Sequence, residues 1–505
     1  MSLAELSFLS VGVATITEPQ ATALVLVVFG SLIAFSVLFS RTIDRLGIPV
    51  VLLFIVLGML GGSEGLGGLH FDDYAMAVRL GTIALVLILF DGGLNTSMAS
   101  VRSVLAPASV LATFGVALTA GLVTLAARGL GLGWTESLLL GAVVSSTDAA
   151  AVFAVLRGGR LQLEPRVGRL IEVESCINDP MAVILTMTLI EIVSLPEVSW
   201  GQAVLAIPAQ LAIGAAIGLL FGWLGRILLR RIYIPTAGLY PVLTLALAFL
   251  SFGAATMVWG SGFLAVFATG VVLGTGQVPY RNGLARVHDS LAWMSQVGTF
   301  LMLGLLVFPS QLVAIAWKGL ALAVILALAA RPLAVLMCLL PFRLPAREIG
   351  YVGWIGLRGA VPIILGTFPV LAQVPGALEV FNLVFFIVVV SSIVPGSTIR
   401  LVTRWFGLMA PYRPQPSAVL EINSTYSLNG ELTSFLIEPT VAVCGAYLRD
   451  IEFPPGSAAV LVVRGRELIA PRGQTMLQAG DHVYVFFQPK DRPVIELLFG
   501  GPEGG

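Results

Sequence analysis

The chain has 505 residues, 57% of them hydrophobic and only 11% charged, with 28 basic side chains offset by 28 acidic ones. Soluble domains carry roughly a quarter charged residues, and a mean hydropathy of +0.97 marks a polytopic membrane protein rather than a soluble enzyme. Zero net charge by itself says nothing about nucleic-acid or acidic partners; the partner that composition implies is membrane lipid, and no nucleic acid is expected.

In chain order, the first twenty residues contain no Lys or Arg, so the basic start of a secretory signal is missing and no cleavage is expected. Apolar runs at 21–39, 110–127 and 319–330 belong to spans of the twenty or so residues a bilayer-crossing helix needs, and about thirteen spans precede residue 405. One alternate set of loops holds Arg41, Arg45, Arg102, Arg157, Arg160, Arg166, Arg169, Arg226, Arg230, Arg231, Arg281, Arg286, Arg343, Arg347, Arg400 and Arg404. The other set has only Arg79, Arg128 and Lys318, with Glu64, Asp72, Asp73, Glu197 and Glu379. Positive loops stay inside, so the N-terminus is expected outside and the C-terminal tail in the cytoplasm.

Three stretches break the apolar pattern. In GAVVSSTDAAAVFAVL (141–156), Ser145, Ser146, Thr147 and Asp148 form a helix-start signal in mid-membrane. That predicts a broken helix with Asp148 at the positive end of its second half. In ESCINDPMAVIL (174–185), Glu174 with Asn178 and Ser175 with Asp179 make two polar rows on one helix face. The span is expected from about Ile171 to Val193, with a kink at Pro180 freeing the Cys176 carbonyl. An ionised Asp179 at this depth costs around 3 kcal/mol or more, so it should face a water-filled cavity. In GWIGLRGAVPIILGTFP (353–369), Gly356, Gly359 and Pro362 weaken a second helix around Arg358. That permanent cation needs an anion from among Glu174, Asp148 and Asp179. The two breaks fall seven spans apart and hence in opposite orientation, as in an inverted repeat. Arg331 is a further intramembrane cation, assigned to ion pairing or structure. Glu172 and Glu191 read as solvated charges near span ends.

The rest excludes other chemistry. Cys176 and Cys338 lie within spans and Cys444 in the tail, which offers neither a disulfide framework nor a zinc cluster. His70 and His288 are expected in loops and His482 in the tail, so no Ser-His pair of an intramembrane protease forms. No potassium-channel filter sequence is present.

After a Pro-rich joint, APYRPQPS (410–417), hydropathy falls. TVAVCGAYL, AAVLVVRGRELIAP and GDHVYVFF read as strands, and DRPVIELLF as a short helix. The expected division is a membrane domain over 1–409, a linker over 410–430 and an α+β tail domain over 431–505. From LRDIEFPPG to GDHVYVF the tail resembles the TrkA-C, or RCK C-terminal, regulatory domain. That resemblance implies dimerisation and a small cytosolic ligand, expected to be of nucleotide type.

SSTDAAAVF, ESCINDP and WIGLRGAVP, in this order, resemble the monovalent cation:proton antiporter-1 family of NhaP-like exchangers over roughly residues 20–405. With the tail, the likeness is to bacterial potassium/proton antiporters. The fold implied is all-α with inverted repeats and two broken helices, in a homodimer of the bacterial inner membrane. The resemblance makes Asp179 the carboxylate that alternately holds cation and proton, with Thr147, Ser175 and Glu174 around the cation. It makes Asp148 the broken-helix carboxylate, Asn178 the amide preceding the key acid, and Arg358 the ion-pair partner of Glu174. No cofactor is expected beyond the transported potassium or sodium ion and the proton. A single titrating carboxylate predicts electroneutral one-for-one exchange, with activity rising as the cytoplasm becomes alkaline. A cation-coupled symporter of a small organic solute is the alternative, which flux of solute and sodium in one direction would reveal.

Overall fold

The computed structural model describes residues 50–410 and 430–501, with isolated positions between 23 and 38 and residue 420, apart from 70, 97, 159–160, 196–198, 233 and 276–277. Nine of the nineteen residues of the span expected over 21–39 lie outside the described residues, as do Arg41, Arg45, His70, Arg160, Glu197 and nearly all of the Pro-rich joint.

Among the described residues, the regular structure of the membrane part is helical apart from one two-residue strand pair and a single bridge between Gly62 and Leu69. It opens with α1 (Val50–Gly61), α2 (Tyr74–Asn95), α3 (Met98–Val110) and α4 (Val116–Gly129). Next come α5 (Trp134–Val143), α6 (Ala149–Gly158), strand β1 (Gln162–Leu163), α7 (Pro165–Ser194) and α8 (Trp200–Arg231). They are followed by α9 (Leu239–Met257), α10 (Gly262–Thr275), α11 (Arg281–Leu305), α12 (Pro309–Ile325) and α13 (Arg331–Leu339). The part closes with α14 (Ala346–Trp354), α15 (Ala360–Leu371), α16 (Ala377–Trp405) and strand β2 (Met409–Ala410). Single π turns at Leu111–Gly115 and Leu326–Ala330 join α3 to α4 and α12 to α13. The second lies just before Arg331-Pro332, where the missing proline N–H already weakens the hydrogen-bond ladder.

Among the described residues, seven continuous helical stretches are long and apolar enough to cross a bilayer alone. The others are shorter, broken in the middle, or, like α11, carry charges. Bare backbone lets some of them approach closely. A Cβ on Gly93 would stand 2.5 Å from the Phe267 carbonyl oxygen, and one on Gly270 2.6 Å from that of Phe90. Only glycine allows α2 and α10 to meet this way. Gly214, Gly218 and Gly222 do the same for α8 against α10.

The helix of α7 does not begin where the span was expected, near Ile171. The helix starts at Pro165, a favoured first position, and runs unbroken through Pro180 to Ser194. Asp179 lies about 21 Å along the helix from its start. His288 is likewise no loop residue. It is fully buried within α11, with Nε2 2.8 Å from Thr244 Oγ1 and its ring edge-on to Phe90.

The tail is an antiparallel sheet of β3 (Glu431–Leu436), β4 (Ala458–Arg464), β5 (Glu467–Ile469) and β6 (His482–Phe487), with α17 (Arg492–Phe499) after it. The sheet order is β3-β6-β4-β5. Ile495 and Phe499 of α17 join Phe435, Val462, Val485 and Phe487 in a closed core. TVAVCGAYL is not a strand: it forms turns around Gly445, at φ 81°, and buries Val443 and Leu448 from irregular backbone. The outer position in the sheet belongs instead to β3, which pairs with β6 from Glu431↔Phe487 to Leu436↔His482.

Candidate functional site

Both predicted breaks are present. Residues 144–148 separate α5 from α6, and residues 355–359 separate α14 from α15. The two unwound segments touch, the Asp148 N–H donating to the Leu357 carbonyl at 2.9 Å. Unwound backbone inside a bilayer must be satisfied by protein or water, and neighbouring side chains do this here. Ser175 Oγ, from α7, donates to the Thr147 carbonyl at 2.8 Å and accepts the Ala149 N–H at 3.0 Å. Asn178 Nδ2 donates to Thr147 Oγ1 at 2.6 Å. Asp148 Oδ1 accepts the Ala151 N–H at 3.1 Å, capping α6 where the helix dipole favours an anion. Gly359 leaves room for this carboxylate, since a Cβ there would stand 1.9 Å from Asp148 Oδ2.

Arg358, only 1% exposed, does not pair with Glu174. Its Nη1 donates to the carbonyls of Ser145 and Ser146 in the opposite break. Glu174 pairs instead with Arg331, whose Nη2 lies 2.6 Å from Oε1 and donates to Oε2 at 2.9 Å. Arg331 is set at the first position after the second π turn and reaches Glu174, while the crossing of the two breaks consumes Arg358. The sequence provided two cations for one carboxylate and no means of choosing between them.

Asp179 is different. Its Oδ1 is buried with no hydrogen-bond partner among the described residues, as are Asn178 Oδ1 and Ser146 Oγ. Asp179 lines a cavity of about 880 Å³ together with Asp148, Ser175 and Cys176. Three further carboxylates line it, Glu172 of α7, Asp91 of α2 and Asp289 of α11. Asn95 Nδ2 donates to Asp91 at 3.0 Å. Glu172, read from the sequence as a solvated charge, is half-buried in the cavity wall. Asp91 and Asp289 were missed. Asp91 is a single charge within an apolar run, LILFDGG, and Asp289 follows Arg286 in ARVHDSLAW; nothing local shows that the two helices face one cavity.

The arrangement offers hard oxygen donors at the crossing of two interrupted helices, one bare carboxylate, and an acid-lined cavity leading to it. Such donors suit alkali cations.

Comparison with known proteins agrees with this geometry. The model of the transmembrane sodium/hydrogen exchanger matches residues 15–405, and that of the TrkA-C domain residues 432–500. The K(+)/H(+) antiporter NhaP of Alkalimonas amylolytica is 40% identical over 482 residues, covering 95% of this chain and 84% of the relative. The K(+)/H(+) antiporter NhaP2 of Shewanella sp. (strain ANA-3) is 41% identical over 472 residues, 93% of this chain and 82% of the relative. The solved sodium proton antiporter MjNhaP1 from Methanocaldococcus jannaschii superposes with a TM-score of 0.66 at 22% identity, covering 76% of this chain and 100% of its own. The chain belongs to the sodium/hydrogen exchanger family and carries a TrkA-C domain behind its transmembrane part.

Proposed function

We propose that this chain exchanges cytoplasmic potassium, or sodium, for protons across the bacterial inner membrane, one for one and by alternating access. The observation that carries the reading is the contrast between Glu174, neutralised by Arg331, and Asp179, whose Oδ1 has no partner. Arg358 is bonded to the carbonyls of Ser145 and Ser146 and makes no ion pair among the described residues. Asp179 is then the group whose charge must be met by what is transported. A proton on its oxygen removes the charge that holds the metal ion, so the two cargoes compete for one place. Both loaded forms carry the same charge, which makes the exchange electroneutral.

Asp179 takes the ion, with Thr147 Oγ1, Ser146 Oγ and the remaining lone pair of Ser175 Oγ as further donors. Ser175 and Asn178 also hold the break closed around Thr147, and Asp148 anchors α6. The acid-lined cavity is built from the ends of α2, α6, α7 and α11 that lie beside Arg102, Arg157, Arg166, Arg169, Arg281 and Arg286. By the positive-inside rule it opens to the cytoplasm, with the N-terminus outside and the tail inside. Thirteen spans in inverted repeats complete this reading: the short and broken helices pair up as spans, and the first falls over 21–39. A homodimer belongs to it too, supported by α8, which packs one glycine-lined face on α10 and leaves the opposite face open. The tail regulates exchange and takes a small cytosolic ligand, of nucleotide type in this proposal.

The test is dequenching of a pH dye in proteoliposomes on adding potassium, sodium or lithium in turn. Wild-type protein should respond to potassium, and Asp179→Asn should be silent. Exchange that survives in Asp179→Asn overturns the site assignment, and a current under an imposed potential overturns one-for-one stoichiometry.

A further inference from the structure

A second cavity, of about 690 Å³, shares no residue with the ion cavity. It lies between α14 and the last two turns of α16, walled by Trp354, Leu401, Val402, Trp405 and Phe406, with Arg404 at its rim. Its size falls within the roughly 300–1,000 Å³ of small-ligand sites. The polar atoms of its walls are already spent inside the protein. Trp354 Nε1 donates to Thr398 Oγ1 at 3.1 Å, and Tyr351, behind the wall, bonds Thr403 Oγ1 at 2.8 Å. The walls therefore offer an apolar slot and no hydrogen-bonding pattern.

Arg404 is the exception. It is exposed at the end of α16 and makes no ion pair among the described residues. Beside it Trp405 is 82% exposed and Leu401 68%. The 29 residues of α16 make a helix about 43 Å long, longer than the roughly 30 Å hydrocarbon core. Its last turn therefore reaches the headgroup layer, where tryptophan is enriched and where an arginine meets phosphate. The side is the one carrying Arg400, Arg404 and the arginine-rich loops, facing the leaflet whose surface is negatively charged.

We propose that this groove binds an anionic phospholipid of the cytoplasmic leaflet, with an acyl chain against Trp354 and Phe406 and the headgroup phosphate on Arg404. The site lies where the membrane domain hands over to the tail. Three residues beyond it, Met409 and Ala410 of β2 pair with Leu163 and Gln162 of β1, and the Glu164 N–H donates to the Leu408 carbonyl at 2.9 Å. These bonds fasten the end of α16 to the start of α7, the helix that carries Asp179. Arg400, one turn earlier, donates from Nε to the Val155 carbonyl of α6 at 3.2 Å. A lipid here therefore seats against the join between the tail and both ion-site helices.

The experiment is native mass spectrometry of the full chain in detergent, titrated with phosphatidylglycerol or with phosphatidylcholine of the same acyl chains. It reads lipid retention directly, so its outcome does not depend on which ion is exchanged or on whether Asp179 carries it. Wild-type protein should retain phosphatidylglycerol in preference. Arg404→Gln should weaken that retention about fivefold, Arg404→Lys should keep most of it, and Trp405→Ala should weaken both lipids. Equal retention of the two lipids by the wild type, or undiminished phosphatidylglycerol on a folded Arg404→Gln variant, overturns the proposal.

Discussion

Two sides of one helix behave in opposite ways. On the side of α7 that faces α13, Glu174 is 1% exposed and held by Arg331. On the side that faces the cavity, five residues later, Asp179 keeps a buried oxygen with no partner. Both are carboxylates in a bilayer, and burial alone would treat them alike. The difference lies in bonded partners: Glu174 has a guanidinium bonded to it, whereas Asp179 Oδ1 has none among the described residues, which in the proposed function leaves it open to cargo.

That contrast is open to attack from both ends. The largest effect is expected on the architectural side. Arg331→Gln leaves Glu174 buried without its cation and should cost about 3–5 kcal/mol, read as a large fall in the melting temperature of the solubilised protein. Replacing both partners, Arg331→Met with Glu174→Gln, should recover most of it. On the cargo side Asp179→Asn should leave the melting temperature unchanged or raised, because an amide is cheaper to bury than a carboxylate that has no partner to lose. A destabilised Asp179→Asn would mean that the two sides do not differ as described.

A smaller but sharp effect is expected at the crossing of the breaks. Gly359→Ala drives a methyl group into Asp148 Oδ2. The protein should still fold, while overpacking of about 1–3 kcal/mol falls on the break itself and slows exchange about tenfold or more. Unchanged turnover would show that the carboxylate has room to move aside. The smallest effect belongs to the cavity mouth. Asp289→Asn should raise the KM for the cation two- to threefold at low ionic strength and leave kcat alone, as loss of a steering charge does, and salt should erase the difference.

Much of the candidate ion site was legible because membrane helices make polar residues conspicuous. Ser-Ser-Thr-Asp announced one break and the glycines flanking Arg358 the other, and both are present. The pairing of Glu174 was not legible. Arg331 and Arg358 are both buried cations, and only the helix crossing decides which reaches the carboxylate and which reaches the carbonyls of Ser145 and Ser146. Asp91 and Asp289 escaped notice because the meaning of each comes from a facing helix.

The tail divides similarly. Its Pro-Gly turn and its Gly-Asp step have plain causes. Gly456 and Gly480 take φ of 84° and 91°, which favour glycine. Asp481 receives two bonds of 2.8 Å from Arg464 and the Gln478 N–H, also at 2.8 Å. The Asp481 carboxylate holds the Arg464 guanidinium protonated to above its ordinary range. TVAVCGAYL misled because its apolar residues alternate as a strand would, whereas a turn through Gly445 buries two of them.

The most direct test of the single bare carboxylate is the apparent KM for potassium in proteoliposomes as cytoplasmic-side pH is lowered. Competition for Asp179 predicts a KM that climbs towards about tenfold per pH unit once the group is mostly protonated, with an unchanged maximal rate. A KM that stays flat while the maximal rate falls would place the proton on another group and contradict the account.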